Sequence, residues 1–189
     1  MPVKFRWYYL SALPGRGMEY ERLKREITSP ALQAVAEHWY QARQNRPMPR
    51  WADLRPSQIA RQLNIVWAYK FDPDTKQFTG RLAGNRITEG FGKSFRGARL
   101  EDLHPPEFLP RIYEHMLQVV ETPAVYKSGG TLFRKGSVRG IGERIILPLG
   151  NGVVDGVIGA SDYELAPDTG TDDSIELQGN GIIWFSVAE

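Results

Sequence analysis

Apolar positions recur with a helical period in the first part of this chain and with a strand period further on. Tyr20, Leu23 and Ile27 share one face of a helix over 18–27, and a second helix is expected from Pro30 to about Gln44. Ser29 supplies an N-cap, and Pro30 is the residue type favoured at the first helical position. In that helix Leu32, Val35, Ala36 and Trp39 recur at i, i+3, i+4 and i+7, a stripe that needs a partner to cover it. Arg46-Pro47-Met48-Pro49-Arg50 stops the helix and reads as a stiff linker. A period of two then begins: Ile65, Trp67, Tyr69 and Phe71 lie on one side of a strand, Asp72-Pro73-Asp74 turns the chain, and Phe78 to Ala83 returns.

Glycines break the stretch from Gly84 to Leu103, where only short helical turns are expected. From Glu107 to Glu121 the helical period is restored by Leu109, Ile112, Tyr113, Met116, Leu117 and Val120, and Thr122-Pro123 ends it. Ala124 to Arg134, Val138 to Leu149 and Val153 to Tyr163 read as three strands, the last two joined at Asn151-Gly152, a strong hairpin signal. Ile182 to Phe185 is an apolar end that is either a last strand or an anchor on a partner. The fold class is α+β, divided into an N-terminal arm with helices over 1–49, a core domain over 50–164, and an acidic tail with a terminal apolar strand over 165–189.

Composition narrows the chemistry. The 189 residues include no cysteine, so disulfides, thiolate metal sites and cysteine nucleophiles are excluded, and a reducing compartment fits. Trp7 to Leu10 is far too short for a signal-peptide core or a membrane span, so a cytoplasmic protein with no membrane partner is expected. The net charge of +2 hides a polarity: residues 1–56 carry ten Lys/Arg against five Asp/Glu, whereas residues 164–189 carry six acids and no base. Two solvated arms, or two arms that attract each other, both account for this.

Beyond the element order, particular residues carry a resemblance. Arg81-Leu82-Ala83-Gly84 followed by Gly90, Gly92 and Gly97, then Leu103-His104-Pro105 ahead of the long helix, and Leu147-Pro148-Leu149 with Val157-Ile158-Gly159 around the closing hairpin, resemble the PAS superfamily. The similarity is to its stand-alone branch found mainly in alphaproteobacteria, and it covers roughly residues 50–163, with the Trp39 helix like that branch's preface. The resemblance implies a five-stranded antiparallel sheet with short helices and one longer connecting helix, here with an N-terminal helical extension. It also implies a sensory or regulatory binding module of bacterial signalling, acting through a small ligand or a protein partner, and a homodimer is expected. Flavin photochemistry through a cysteinyl adduct is excluded by the lack of cysteine. Some members hold haem through a histidine of the connecting helix, where His115 falls. A boundary histidine beside Ile112 and Met116 explains it equally, and no cofactor is expected.

No enzymatic motif is complete. Gly92-Lys93-Ser94 resembles the tail of a phosphate loop, but the glycine required five residues earlier is Ile87. No Gly-x-Ser-x-Gly occurs, Glu101-Asp102 would diverge on a helix, and Asp168, Asp172 and Asp173 lack the glycine and glutamate of a calcium loop. His38, His104 and His115 are never at metal-ligand spacing. The basic residues around Trp7, Tyr8, Tyr9 and Tyr20 are interrupted by Glu19, Glu21 and Glu26, so no nucleic-acid partner is expected.

The ligand-binding candidates are Arg81, Asn85, Trp67, Tyr69 and His115. Arg81 is either an outward residue of an alternating strand or an inward guanidinium that needs a buried carboxylate or a ligand's acidic group, and Asn85 is expected near a cavity mouth. Leu32, Val35, Ala36 and Trp39 are the candidate interface, as a dimer seam or as a lid over the sheet. The alternative to a regulatory module is a small-molecule carrier or enzyme using a cavity in the same sheet.

Overall fold

The strands that carry Ile145-Ile146-Leu147 and Val157-Ile158 are apolar at consecutive positions, so both faces of the sheet they form must be covered. The computed structural model, which describes residues 6–9, 16–168 and 182–187, meets this demand with helices on both sides. Its strands are β1 (Arg6–Tyr9), β2 (Val66–Asp72), β3 (Gln77–Ala83), β4 (Ala124–Lys135), β5 (Val138–Asn151), β6 (Val153–Pro167) and β7 (Ile183–Ser186). They form one sheet in the order β1-β7-β4-β5-β6-β2-β3, antiparallel throughout except that β1 runs parallel to β7. The helices are α1 (Arg16–Glu26), α2 (Pro30–Ala42), α3 (Asn85–Phe91), α4 (Leu100–Leu103) and α5 (Leu109–Glu121).

Five strands, β2 to β6, correspond to the sheet that the resemblance implies, with α5 as the longer connecting helix. The sheet nevertheless has seven strands. The free edge of β4 offers unpaired backbone groups, and the apolar segment Ile183–Ser186 pairs with it, Tyr126 opposite Trp184 and Val125 opposite Phe185. β1 then adds to β7, with Trp7 opposite Trp184 in register. The acidic residues 169–181 lie outside the described residues.

On the outer face, α2 lies against β5 and β6. Leu32, Val35, Ala36 and Trp39 are each no more than 1% exposed and join Ile145, Leu147 and Leu149 in one core. The Trp39 indole N–H donates to the Pro148 carbonyl at 2.8 Å. The apolar stripe of α2 is therefore spent on the chain's own sheet. It is not available as a dimer seam, because the sheet's outer face is equally apolar and lies nearer in the chain than any second copy.

Polar contacts fix the start of α2. Ser29 Oγ accepts from the Leu32 N–H at 3.2 Å, the N-cap bond, and donates to Asp162 at 2.6 Å. Glu143 accepts from the N–H groups of Thr28 and Ser29 at 2.9 and 2.7 Å and pairs with Lys127 at 3.0 Å. Burial alone would raise the Glu143 carboxyl, but these donors outweigh it and hold it below the usual carboxylate range. α1 is tied to α2 by the Tyr20 hydroxyl donating to Glu37 and by Tyr20 stacking on Tyr40 with centroids 3.9 Å apart.

Residues 51–65, which carry no clear period, form two 3-10 pieces, Trp51–Asp53 and Pro56–Ile65, the second kinked at Ile59. His38 on α2 holds them: its Nε2 accepts from the Arg55 N–H and its Nδ1 bonds Gln58, both at 3.0 Å. The end of β3 runs against this segment, where a Cβ on Gly84 would overlap the carbonyl oxygens of Leu63 and Asn64. The glycine of the Arg-Leu-Ala-Gly sequence is thus a close backbone approach.

Because the α2 stripe is core, Leu32→Ala is expected to cost about 2–5 kcal/mol in urea unfolding, with a midpoint independent of protein concentration. A loss below about 1 kcal/mol, or a midpoint that rises with concentration, would show that the stripe serves an interface instead.

Candidate functional site

Side chains alternate across β5 and β6, so Arg144, Ile146, Ser161 and Tyr163 face inward while Glu143, Ile145, Ala160 and Asp162 face α2. The inner face is roofed by α3, α4 and α5, and between roof and sheet lies a cavity of about 250 Å³. Its walls are mainly apolar and aromatic. Trp67 and Tyr69 come from β2, Tyr126 and Leu132 from β4, Phe91 and Phe95 from α3 and the turn after it, and Ile112 and Met116 from α5.

Polar groups gather on the sheet side. The Trp67 indole N–H donates to Ser161 Oγ at 3.0 Å, and Arg144 Nε donates to the same oxygen at 2.9 Å. Trp67 lies flat over Gly159, where a Cβ would overlap its ring, so the absence of a side chain sets the depth of this wall. Tyr69 is 4% exposed, and its hydroxyl has no hydrogen-bond partner among the described residues. Burial pushes that phenol well above its ordinary range, with Arg144 acting weakly against the shift. The unpaired hydroxyl is unusual, since burying a polar group without a partner is costly.

Two histidines close the site. His115, on α5, is 6% exposed, with its ring 5.2 Å from Tyr126 and 6.1 Å from Trp184. His104, just after α4, stands edge-on to Phe91 at 5.2 Å. Burial pulls both down to about 4; the charge of Arg144 helps for each, and for His115 the charge of Arg111 comes first. Both rings are therefore neutral near pH 7.

Of the ligand-binding candidates, Trp67, Tyr69 and His115 meet at this cavity, and Arg81 and Asn85 do not. Arg81 falls at the β-bulge opposite Ala68/Tyr69, and its guanidinium lies over the Trp51 ring at 3.8 Å. That cation–π contact satisfies it away from the cavity. Asn85 is the exposed first residue of α3. Asp168 pairs with Arg134 at 2.7 Å, while Asp172 and Asp173 lie outside the described residues.

Arg144, Ser161 and His104 are the site residues that sequence reasoning missed. The signal for the first was its phase: counting in steps of two along β5 puts Arg144 on the same face as Ile146.

Because both histidine values lie below the ordinary 6.5, the native state binds fewer protons than the unfolded chain in this range. Their contribution to stability is complete above pH 6.5 and is lost as pH falls towards 4. Unfolding free energies measured between pH 7 and 4.5 are expected to drop by on the order of 2 kcal/mol for each histidine. His115→Phe, which keeps a ring between Tyr126 and Trp184, should remove about half of that drop. An unchanged pH slope in the variant would show that His115 is not held neutral.

Comparison with known proteins adds one finding to this geometry. A family model described as PAS domain matches residues 27–157, while searches of curated proteins and of solved structures give no match. The matched stretch starts just before the Ser29 cap, includes the whole roof of the cavity and ends in β6. It covers more than half of the sequence, and on that ground the chain belongs to the PAS domain family.

Proposed function

We propose that this PAS domain is a bacterial sensory module in which a small ligand occupies the inner cavity and the signal leaves through the N-terminal helices to a protein partner. The observation that carries the reading is the pairing of β5 with β6. Arg144 is opposite Ser161 on the cavity side, and the next pair, Glu143 opposite Asp162, holds the start of α2 on the other side. A ligand that moves the inner pair must strain or relax the outer one, because packed strands transmit displacement with little compression.

Volume supports a small ligand. The cavity measures about 250 Å³. That suits a substituted single ring or a bicycle, and is below the usual range for larger organic ligands. The reading treats the chain as a non-enzymatic binding protein acting in the cytoplasm. None of the described helices is long and apolar enough to cross a membrane.

Hydrogen–deuterium exchange with and without saturating indole or benzoate tests the relay. Binding is expected to change protection both in α5 and at residues 28–33, which begin α2. Ser29→Ala, which removes the Asp162 bond and the cap, should abolish the response at 28–33 while leaving the probe's affinity within about twofold. A response confined to the cavity side in the unmodified chain would overturn the relay.

A further inference from the structure

A buried hydroxyl in the cavity wall narrows the class of ligand. Trp67 and Tyr69 are two apart on β2 and both line the cavity, because the pleat of the strand turns both side chains inward. Tyr69 is 4% exposed, and its hydroxyl has no hydrogen-bond partner among the described residues. Aromatic neighbours hold its ring in place, Trp67 edge-on at 5.8 Å and Phe95 tilted at 4.8 Å between centroids. The hydroxyl is therefore fixed in position, with its proton donated to no group described here.

Other tyrosines of this fold show the ordinary outcome. Tyr163, also in the cavity lining, donates to the Arg86 carbonyl at 2.8 Å, and Tyr113 donates to the Lys76 carbonyl at 2.8 Å. The Tyr69 hydroxyl instead loses its hydration on folding with no bond in return, which costs the ligand-free chain stability. A phenylalanine would fill the same space without that cost. The oxygen gains a purpose when a guest brings the missing partner.

A phenol donates more readily than it accepts, because its lone pair is shared with the ring, so the matching group on the guest is an acceptor. Phe91, Phe95 and Phe133 offer rings to a flat aromatic body. Among the described residues no Asp or Glu lines the cavity, so an ammonium group would find no counter-charge there. One hydroxyl between two rings suits a single carbonyl oxygen, whereas an ion in that corner would need several donors to offset its lost hydration.

We propose that the cavity binds a small uncharged aromatic carbonyl compound, an aryl ketone or aldehyde, whose oxygen accepts from the Tyr69 hydroxyl and whose ring lies among Phe91, Phe95 and Phe133. This rests on the reading of the cavity as the input site and specifies what enters it.

Acetophenone and α-methylstyrene, which carries a methylene in place of the carbonyl oxygen, test this on the full chain. Affinities are measured by calorimetry, and the carbonyl stretch of bound acetophenone by infrared difference spectroscopy. Tyr69→Phe is expected to weaken acetophenone about five- to tenfold and to leave α-methylstyrene within about twofold. The carbonyl stretch, lowered by the phenol in the unmodified chain, should rise in the variant. The urea midpoint of ligand-free Tyr69→Phe should equal or exceed that of the unmodified chain, because an unpaired buried hydroxyl has been removed.

Equal weakening of both probes, weakening of neither, or a carbonyl stretch that stays in place overturns the proposal and leaves the cavity as input site. Benzoate binding more tightly than acetophenone, undiminished in Tyr69→Phe, does the same. A lower ligand-free midpoint in the variant also overturns it, by showing that the hydroxyl is bonded within the fold. If neither probe binds, the input-site reading falls with it.

Discussion

A sheet with no face to spare for water governs this structure. Ile145, Leu147 and Leu149 point one way from β5 while Ile146 points the other, and each is no more than 4% exposed. Burying one such side chain is worth about 1.5–3 kcal/mol, so leaving either face open would forfeit several residues' worth of stabilisation. The chain meets the constraint with α1 and α2 outside and α3 to α5 inside, and one continuous core runs through the sheet from Leu23 to Met116. The N-terminal helices are thus part of the fold's foundation, and their polar caps have grown onto the strands they cover.

The two coverings differ in quality. Outside, the Trp39 indole and the Ser29 and Glu143 bonds lock α2 at fixed points on β5 and β6. Inside, the roof is made of short helices and turns, and it leaves a space that the aromatic walls do not fill. A well-packed face beside a loosely packed one is how a domain keeps both stability and a place for a guest, since the roof can yield to admit it while the packed strands between pass a displacement on.

Much of this was legible in the sequence. The α5 stripe, the Asn151-Gly152 hairpin and the Ser29-Pro30 start are local signals, and they correspond to α5, the β5–β6 turn and the cap of α2. Trp67 and Tyr69 were legible as wall residues because a strand's period places them with Ile65 and Phe71. Arg81 misled for the same reason: strict alternation takes no account of the bulge at Ala68/Tyr69, and nothing local tells that Trp51, thirty positions earlier, supplies the ring it stacks on. Arg144 and Ser161 were overlooked because they become a site only when β5 and β6 pair in one register. The fate of the α2 stripe also depended on a distant signal, the unbroken apolar runs of β5 and β6, which ask for a covering on each side.

The edge beyond β4 is built in sequence, and that order has a kinetic meaning. β1 takes its register from β7, and β7 takes its own from β4. Among the described residues, Arg6–Tyr9 pair with no strand but β7, so their place in the sheet waits on residues near position 185, a closure across nearly the full length of the polypeptide. Peeling must run in reverse, so any event that frees β7 from the Tyr126 edge sets the opening segment loose with it.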